Sequence, residues 1–220
     1  PDGFTMVNPI LVNYQETRVS PKIGKFTVKY KDLGTVENYK GNAANLIHCL
    51  DGLIMREVIS RCNYKHYILT KMRDILIEYY TSDAKKPTGI NPYYSNETDI
   101  FKKSFLSIED LEEMVYNYNF KSFLFHADRS VVDKVARIVN IMLSYSPFEV
   151  LGVHDCFKTL PSNVNYVRFW YKEVIAELME GNVLNDMIKQ LPEHTAYMKY
   201  IKPIKPKLID MVRKSNYAIC

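Results

Sequence analysis

The sequence predicts an α+β fold, and three observations carry that prediction. The first forty residues hold short alternating runs, residues 41 to about 145 hold helical periodicity, and Pro147 then introduces one more apolar run with a turn behind it. The chain has 220 residues, enough for one large domain or two small ones. Its expected organisation is 1–61, 62–145 and 146–220.

Early on, Ile10-Leu11-Val12 is apolar. Lys25 to Tyr30 alternates, with Phe26, Val28 and Tyr30 on one side, which is the strand period. Asp32-Leu33-Gly34 suits a turn. A helix is expected from Gly41-Asn42. Ile47, Leu50, Ile54 and Val58 make one stripe on it, and His48, Gly52, Met55 and Ile59 make a second, about 90° away. Asp51 falls between them, so this helix is expected to be buried on two sides.

Tyr67 to Tyr80 reads as an amphipathic helix, and Lys85 to Thr98, with two prolines and a glycine, as a loop. Ser107-Ile108-Glu109-Asp110 fits a capped helix start, because a serine hydroxyl can accept from an amide two or three residues on. Asp128 is expected to cap a helix running to Ser144. Phe148 to Val153 then fits a short buried strand, and Phe157 to Leu160 a second strand completing a hairpin. Ser162 or Asn163 should cap a last long helix with Val164, Val167, Tyr171, Val174, Ile175 and Leu178 inward. Pro203 and Pro206 punctuate the tail.

Composition narrows the class. Hydrophobic residues make up 47%, the globular range, and the net charge of +4 permits nucleic-acid contact without arguing for it. Cys49, Cys62, Cys156 and Cys220 show no zinc-ligand spacing and read as reduced thiols of an intracellular protein. No apolar run approaches the ~20 residues of a membrane span, and no signal peptide is visible. The chain opens on Pro1 without a methionine, so a processed, cut or partial product is expected.

Chemistry concentrates in Val150-Leu151-Gly152-Val153-His154-Asp155-Cys156-Phe157. A carboxylate at a hairpin turn, behind an apolar strand, is fixed in space and shielded on one side. Nucleotidyl transfer by two metals needs ligands of that kind, since Mg²⁺ prefers oxygen and keeps several ligands as water and phosphate. A turn aspartate that only satisfies backbone amides fits the same residues.

His154-Asp155-Cys156-Phe157 resembles the hairpin motif of phage-type and mitochondrial single-subunit DNA-directed RNA polymerases, in which the aspartate is one of two metal ligands in the palm. Ala44-Asn45-Leu46-Ile47-His48-Cys49-Leu50-Asp51-Gly52 resembles a second segment of that family, whose histidine lies near the 3′ end of the nascent RNA. A neutral imidazole can donate to the minor-groove acceptors that every base presents. Pro1-Asp2-Gly3-Phe4 is similar to the family's segment leading from fingers back to palm. The run from Val212 to Cys220 is similar to its terminal segment, which folds back toward the active site. These four matches stand in the family's order and cover residues 1–60 and 148–220.

The resemblance implies a polymerase palm whose catalytic hairpin is packed by helices, with 62–145 as a helical insertion. Asp155 would ligate two Mg²⁺ ions shared with an aspartate outside this chain, and His48 would contact the primer end. His154, Asp51, Phe157, Tyr217 and Cys220 would lie near nucleic acid or nucleotide. Its partners would be the DNA template, nascent RNA, ribonucleoside triphosphates, and the upstream remainder of the polymerase or a second subunit, with no membrane. The insertion and Cys156 point toward the polymerases of mitochondrial linear plasmids. Arg56 and Lys158 could approach phosphate, though solvated surface explains each. Tyr93, Tyr94 and the aromatic run from Tyr116 to Phe125 could stack bases, with core packing as the plainer account.

The pattern also departs from the family. The Asp-Gly-x-x-x-Gly segment that supplies the other metal-binding aspartate has no match, nor has the fingers helix. One aspartate cannot hold two Mg²⁺ ions productively, so this chain alone is expected to be inactive. A non-catalytic nucleic-acid-binding fragment or subunit, and a remnant of a family-A DNA polymerase, remain the competing readings.

Overall fold

The computed structural model describes residues 13–19, 26–32, 39–81, 105–117, 119–153, 156–181, 183, 186–187 and 204–216. They are mostly helical, with two small antiparallel sheets of two strands each, which is compatible with the α+β class. The chain divides into two compact units, Phe4–Asp51 and Gly52–Cys220 together with Pro1–Gly3.

In the first unit, β1 (Asn13–Val19) pairs antiparallel with β2 (Phe26–Asp32), from Asn13 opposite Asp32 to Val19 opposite Phe26. The alternating run of Lys25 to Tyr30 thus falls on β2. Ile10-Leu11-Val12 and the turn residues Leu33 and Gly34 lie outside the described residues.

Helix α1 (Tyr39–Cys62) starts two residues before the expected Gly41 and crosses the division between the units at Asp51 and Gly52. Its burial is uneven, contrary to the expectation of two buried sides. Leu53 and Val58 are buried, whereas Ile47 is 59% exposed. The apolar stripe is continuous in sequence, but only its C-terminal half belongs to the helical core.

That core forms around α2 (His66–Thr81), which packs against α3 (Ile108–Tyr116), α4 (Phe120–His126) and α5 (Arg129–Met142). On α2 the buried residues are Ile68, Leu69, Met72 and Leu76, one face at the 3.6-residue period. The Ser107 capping box is present: Ser107 Oγ accepts from Asp110 N–H at 3.1 Å, and Asp110 Oδ2 accepts from Ser107 N–H at 3.1 Å. Asp128 does stand at the N-cap of α5, but its side chain makes no capping bond there, and the helix ends at Met142. The loop of residues 85–98 lies outside the described residues.

After Pro147 the chain forms β3 (Leu151–Val153) and β4 (Cys156–Lys158). The sequence predicts a buried strand over Phe148–Val153. Only Val150 is buried, and β3 is three exposed residues. A two-stranded hairpin laid on helices has one covered face and one open one, and no second layer covers the open face among the described residues.

A short 3₁₀ turn, Pro161–Asn163, leads into α6 (Val164–Glu180), and neither Ser162 nor Asn163 caps it through a side chain. The buried side of α6 also differs from expectation. Val167 and Val174 are inward, but so are Trp170, Glu173, Ala176 and Glu177, while Val164 is exposed. The acids move inward because arginines wait for them. Finally α7 (Pro206–Lys214) packs on α6, with Pro206 in its first turn, where a missing amide costs nothing. Among the described residues no helix is long and apolar enough to cross a membrane.

Candidate functional site

The β3–β4 hairpin has a defined register. Leu151 stands opposite Lys158, Gly152 opposite Phe157, and Val153 opposite Cys156. Side chains alternate along a strand, so Gly152 and Phe157 share one face and Leu151, Val153, Cys156 and Lys158 the other. On the Gly152 face the fit to α1 is close. A Cβ at Gly152 would come 2.6 Å from Met55 Sδ and 3.3 Å from Ile59 Cδ1. A residue without a Cβ is what lets the hairpin approach α1 this far. Beside it, the Phe157 ring meets Tyr171 of α6 edge-on, with centroids 5.8 Å apart. The other face is open, and Leu151, Val153, Cys156 and Lys158 are all exposed.

The root of the hairpin is tied to the C-terminal end of α1. A helix leaves its last four carbonyls without partners of its own. Here the Cys62 carbonyl accepts from Phe148 N–H at 3.0 Å, and the Arg61 carbonyl accepts from the Tyr145 hydroxyl at 2.6 Å. Trp170 Nε1 donates to the same Tyr145 oxygen at 2.6 Å. Burial pushes the Tyr145 phenol far above its ordinary range, so it keeps the proton that it gives to Arg61. Thr159 Oγ1 donates to the Glu149 carbonyl at 3.1 Å, joining the two legs just below the strands.

Beneath this junction lies a buried ion cluster. The Arg61 guanidinium is fully enclosed. Its Nε donates to Glu57 Oε1 at 2.8 Å, while Nη1 and Nη2 donate to the two oxygens of Glu177 at 2.9 and 2.7 Å. The same cation lies 4.9 Å from the centre of the Trp170 ring. Glu57 also reaches α3, where its two oxygens accept from Ile108 N–H at 3.1 and 3.2 Å at the start of the helix. The carboxylate therefore sits at the positive end of that helix as well as beside Arg61.

One guanidinium shared by two buried carboxylates cannot hold both equally. Burial dominates at Glu57 and raises its pKa, with Arg61 and the Ile108 amide opposing it. Burial acts the same way on Glu177, but the forked bond to Arg61, with Lys134 and Arg137 behind it, outweighs it and leaves that carboxyl below the usual range. Burial also pushes the neighbouring Cys62 thiol up to about 12.

The acidic stripe of α6 continues on either side of Glu177. Glu173 pairs with Arg137 of α5 at 2.5 Å and with Arg213 of α7 at 3.3 Å. Glu180 pairs with Arg213 at 2.6 Å and with Lys134 at 3.3 Å. Past the end of α7, Arg168 donates to the Asn216 carbonyl at 2.5 Å and Lys172 to the Ser215 carbonyl at 3.0 Å. The chain is thus held on α6 as far as Asn216.

Of the residues expected to act, His154, Asp155, Tyr217 and Cys220 lie outside the described residues, as do Tyr93 and Tyr94. Phe157 lies half-buried on the inner face of the hairpin. His48 and Asp51 are exposed on α1, in the first unit. Arg56 is half-buried and Lys158 exposed. In the aromatic run, Phe120 and Phe123 are core residues, whereas Tyr116 is 50% exposed. Among the described residues, no three His, Cys, Asp or Glu side chains gather as a metal ion would need.

No family model matches the sequence. No curated protein matches it significantly.

The residues that sequence reasoning missed are Glu57, Arg61, Tyr145, Trp170 and Glu177. A faint signal existed. Glu57 and Arg61 are one helical turn apart inside an apolar helix, and Glu173 and Glu177 are one turn apart on the apolar side of α6. A charge at a core position calls for a partner. What sequence cannot give is which partner, since Arg61 and Glu177 are 116 residues apart.

Proposed function

We propose that this chain is the C-terminal palm part of a single-subunit DNA-directed RNA polymerase of the phage and mitochondrial type, acting together with a portion that carries the second catalytic aspartate. The observation that carries the reading is the hairpin. Its strands pair up to Val153 and Cys156, and the sequence places His154 and Asp155, the residues of the family resemblance, between those two. A glycine-mediated approach to α1 and hydrogen bonds to the end of that helix fasten it from behind.

In this reading Asp155 is a metal ligand, His48 contacts the primer terminus, and Phe157 braces the hairpin against α6. Two Mg²⁺ ions, when bound, would activate the 3′-oxygen and stabilise the departing pyrophosphate. The ordered resemblance of four segments supports ribonucleotides over deoxyribonucleotides as substrates, because Cys156-Phe157 stands where DNA polymerases of the related family have glutamate.

The test is template-directed synthesis by the complete polymerase with Asp155→Asn. Loss of a metal ligand from the transition state lowers kcat by several orders of magnitude, on the order of 10³ or more. Undiminished RNA synthesis would leave only a non-catalytic nucleic-acid-binding role. A preference for deoxyribonucleotides would make the chain a DNA polymerase remnant.

A further inference from the structure

The helical region between α1 and the hairpin carries a surface with no part in the site described above. Tyr67, at the start of α2, is 54% exposed, and Tyr116, at the end of α3, is 50% exposed. Their hydroxyls are hydrogen-bonded to each other, so the two rings are held as a pair on the outside of the protein. Each ring has an ammonium group over it. Lys65 Nζ lies 5.5 Å from the Tyr116 centroid and Lys71 Nζ 5.9 Å from that of Tyr67. Lys65 also pairs with Glu112 at 3.0 Å, but the two are unequally placed: the lysine side chain is 54% exposed and the carboxylate 13%. The positive end therefore faces out. His66 is exposed between the two lysines, and nearby Asp74 is neutralised by Arg73 at 3.2 Å. Glu113, one turn before Tyr116, and Glu109, one turn before Glu113, are exposed carboxylates of the same helix that oppose this field.

We propose that this surface binds single-stranded nucleic acid, with bases stacking on Tyr67 and Tyr116 and phosphates taking up Lys65 and Lys71. Two half-exposed phenol rings held side by side are otherwise a liability on a protein surface, and phenol rings give every base a stacking partner irrespective of sequence. A polyanion with π-faces at short intervals is the ligand that satisfies the rings and the ammonium groups together. An acidic peptide would satisfy only the latter. The choice of nucleic acid as partner is consistent with the polymerase reading, yet the surface stands apart from the hairpin and is tested apart from it.

The probe is a fluorescein-labelled oligothymidylate, with anisotropy measured on the whole chain at low salt. Each of Tyr67→Ala and Tyr116→Ala weakens binding about tenfold, in keeping with the loss of one stacked base. Tyr67→Phe and Tyr116→Phe, which keep the faces and remove the hydroxyl pair, bind within about twofold of the unsubstituted chain, since the stacking is retained. Glu113→Gln binds more tightly, because a like charge is removed. All five variants alter surface side chains, and thermal melts by circular dichroism check that they fold. The proposal is overturned if the chain does not bind the oligonucleotide, if the alanine variants bind as tightly as the original, if the phenylalanine variants lose as much as the alanine ones, or if polyglutamate competes as well as unlabelled oligothymidylate. Failure here with Asp155→Asn still abolishing RNA synthesis removes the surface and leaves the polymerase reading. Loss of oligonucleotide binding in the alanine variants, with synthesis indifferent to Asp155→Asn, does the reverse.

Discussion

Replacing Arg61 with methionine keeps much of the length of the side chain and removes its charge. In the native protein that guanidinium makes three hydrogen bonds to carboxylates, two of them to Glu177 and one to Glu57, and all three side chains are buried. Methionine fills much of the space but leaves two carboxyl groups enclosed without their cation. Removing one partner of a buried ion pair costs about 3–5 kcal/mol, and here two carboxylates lose the same partner, so the upper part of that range is expected. Against a total stability of about 5–15 kcal/mol this brings the domain close to unfolding at room temperature. Trp170 is the only tryptophan and lies 4.9 Å from the Arg61 guanidinium, so its fluorescence during urea titration reports this region directly. A second variant sharpens the measurement. Arg61→Met with Glu177→Leu removes one of the stranded charges and regains part of the loss, because apolar replacement of a buried pair is often neutral. Adding Glu57→Leu strands the Ile108 amide instead, which costs about 1–3 kcal/mol. A loss below about 1 kcal/mol for Arg61→Met would refute the view that this cluster holds α1, α3 and α6 together.

Three further outcomes follow from the same geometry. Gly152→Ala forces Met55 aside, destabilises the protein by about 1–3 kcal/mol in thermal or urea melts, and is partly relieved by Met55→Ala, which opens the space. Glu177 and Glu180 are held below the ordinary carboxyl value of 4.5, so their stabilising effect is complete above that pH and is lost as pH falls further, through their folded values. Glu57 is raised and acts in the opposite sense; because Glu180 is lowered, Glu180→Gln flattens the acid limb of a stability–pH curve measured by urea midpoints. Cys62 is buried with its thiol pushed up to about 12, so a thiol reagent at mildly alkaline pH labels exposed Cys156 in the native protein and reaches Cys62 only in denaturant, as peptide mapping by mass spectrometry reads.

The helices were legible wherever a single period sufficed. The 3.6-residue spacing of Ile68, Leu69, Met72 and Leu76 marked α2, and Ser107 with Asp110 marked the start of α3 to the residue. Short apolar runs were less informative. Phe148 to Val153 has the hydrophobicity of a buried strand, but burial depends on how many layers cover it, and the outer face of the hairpin is open. The candidate site was legible as a motif and not as a scaffold. His154-Asp155 could be singled out from sequence, but the need for glycine at 152 emerges only when Met55 and Ile59 are placed opposite it. On α6, reading Val164 as inward followed apolarity alone, and Tyr171, Ile175 and Leu178 are half-buried. Specific cations on α1, α5 and α7 allow Glu173 and Glu177 to be enclosed on the same side as Val167 and Val174.

The two features fastened to the end of α1 differ in what they need from it. The hairpin needs position: Phe148 N–H and Tyr145 Oη take the Cys62 and Arg61 carbonyls, bonds that any residue at 61 or 62 would offer through its backbone. The ion cluster needs identity, because only a planar guanidinium forks onto Glu177 while turning its Nε to Glu57. Residue 61 serves both, with its backbone under the hairpin and its side chain in the core. Lysine at that position would preserve the carbonyl and the charge but could not reproduce the forked bond to Glu177 together with the bond to Glu57. Arg61 is thus one of the residues that couple the root of the hairpin to the core, beside Cys62 and Trp170. A change that tilts α1 at Arg61 moves Gly152 relative to Met55, where the clearance is already too small for a single methyl group.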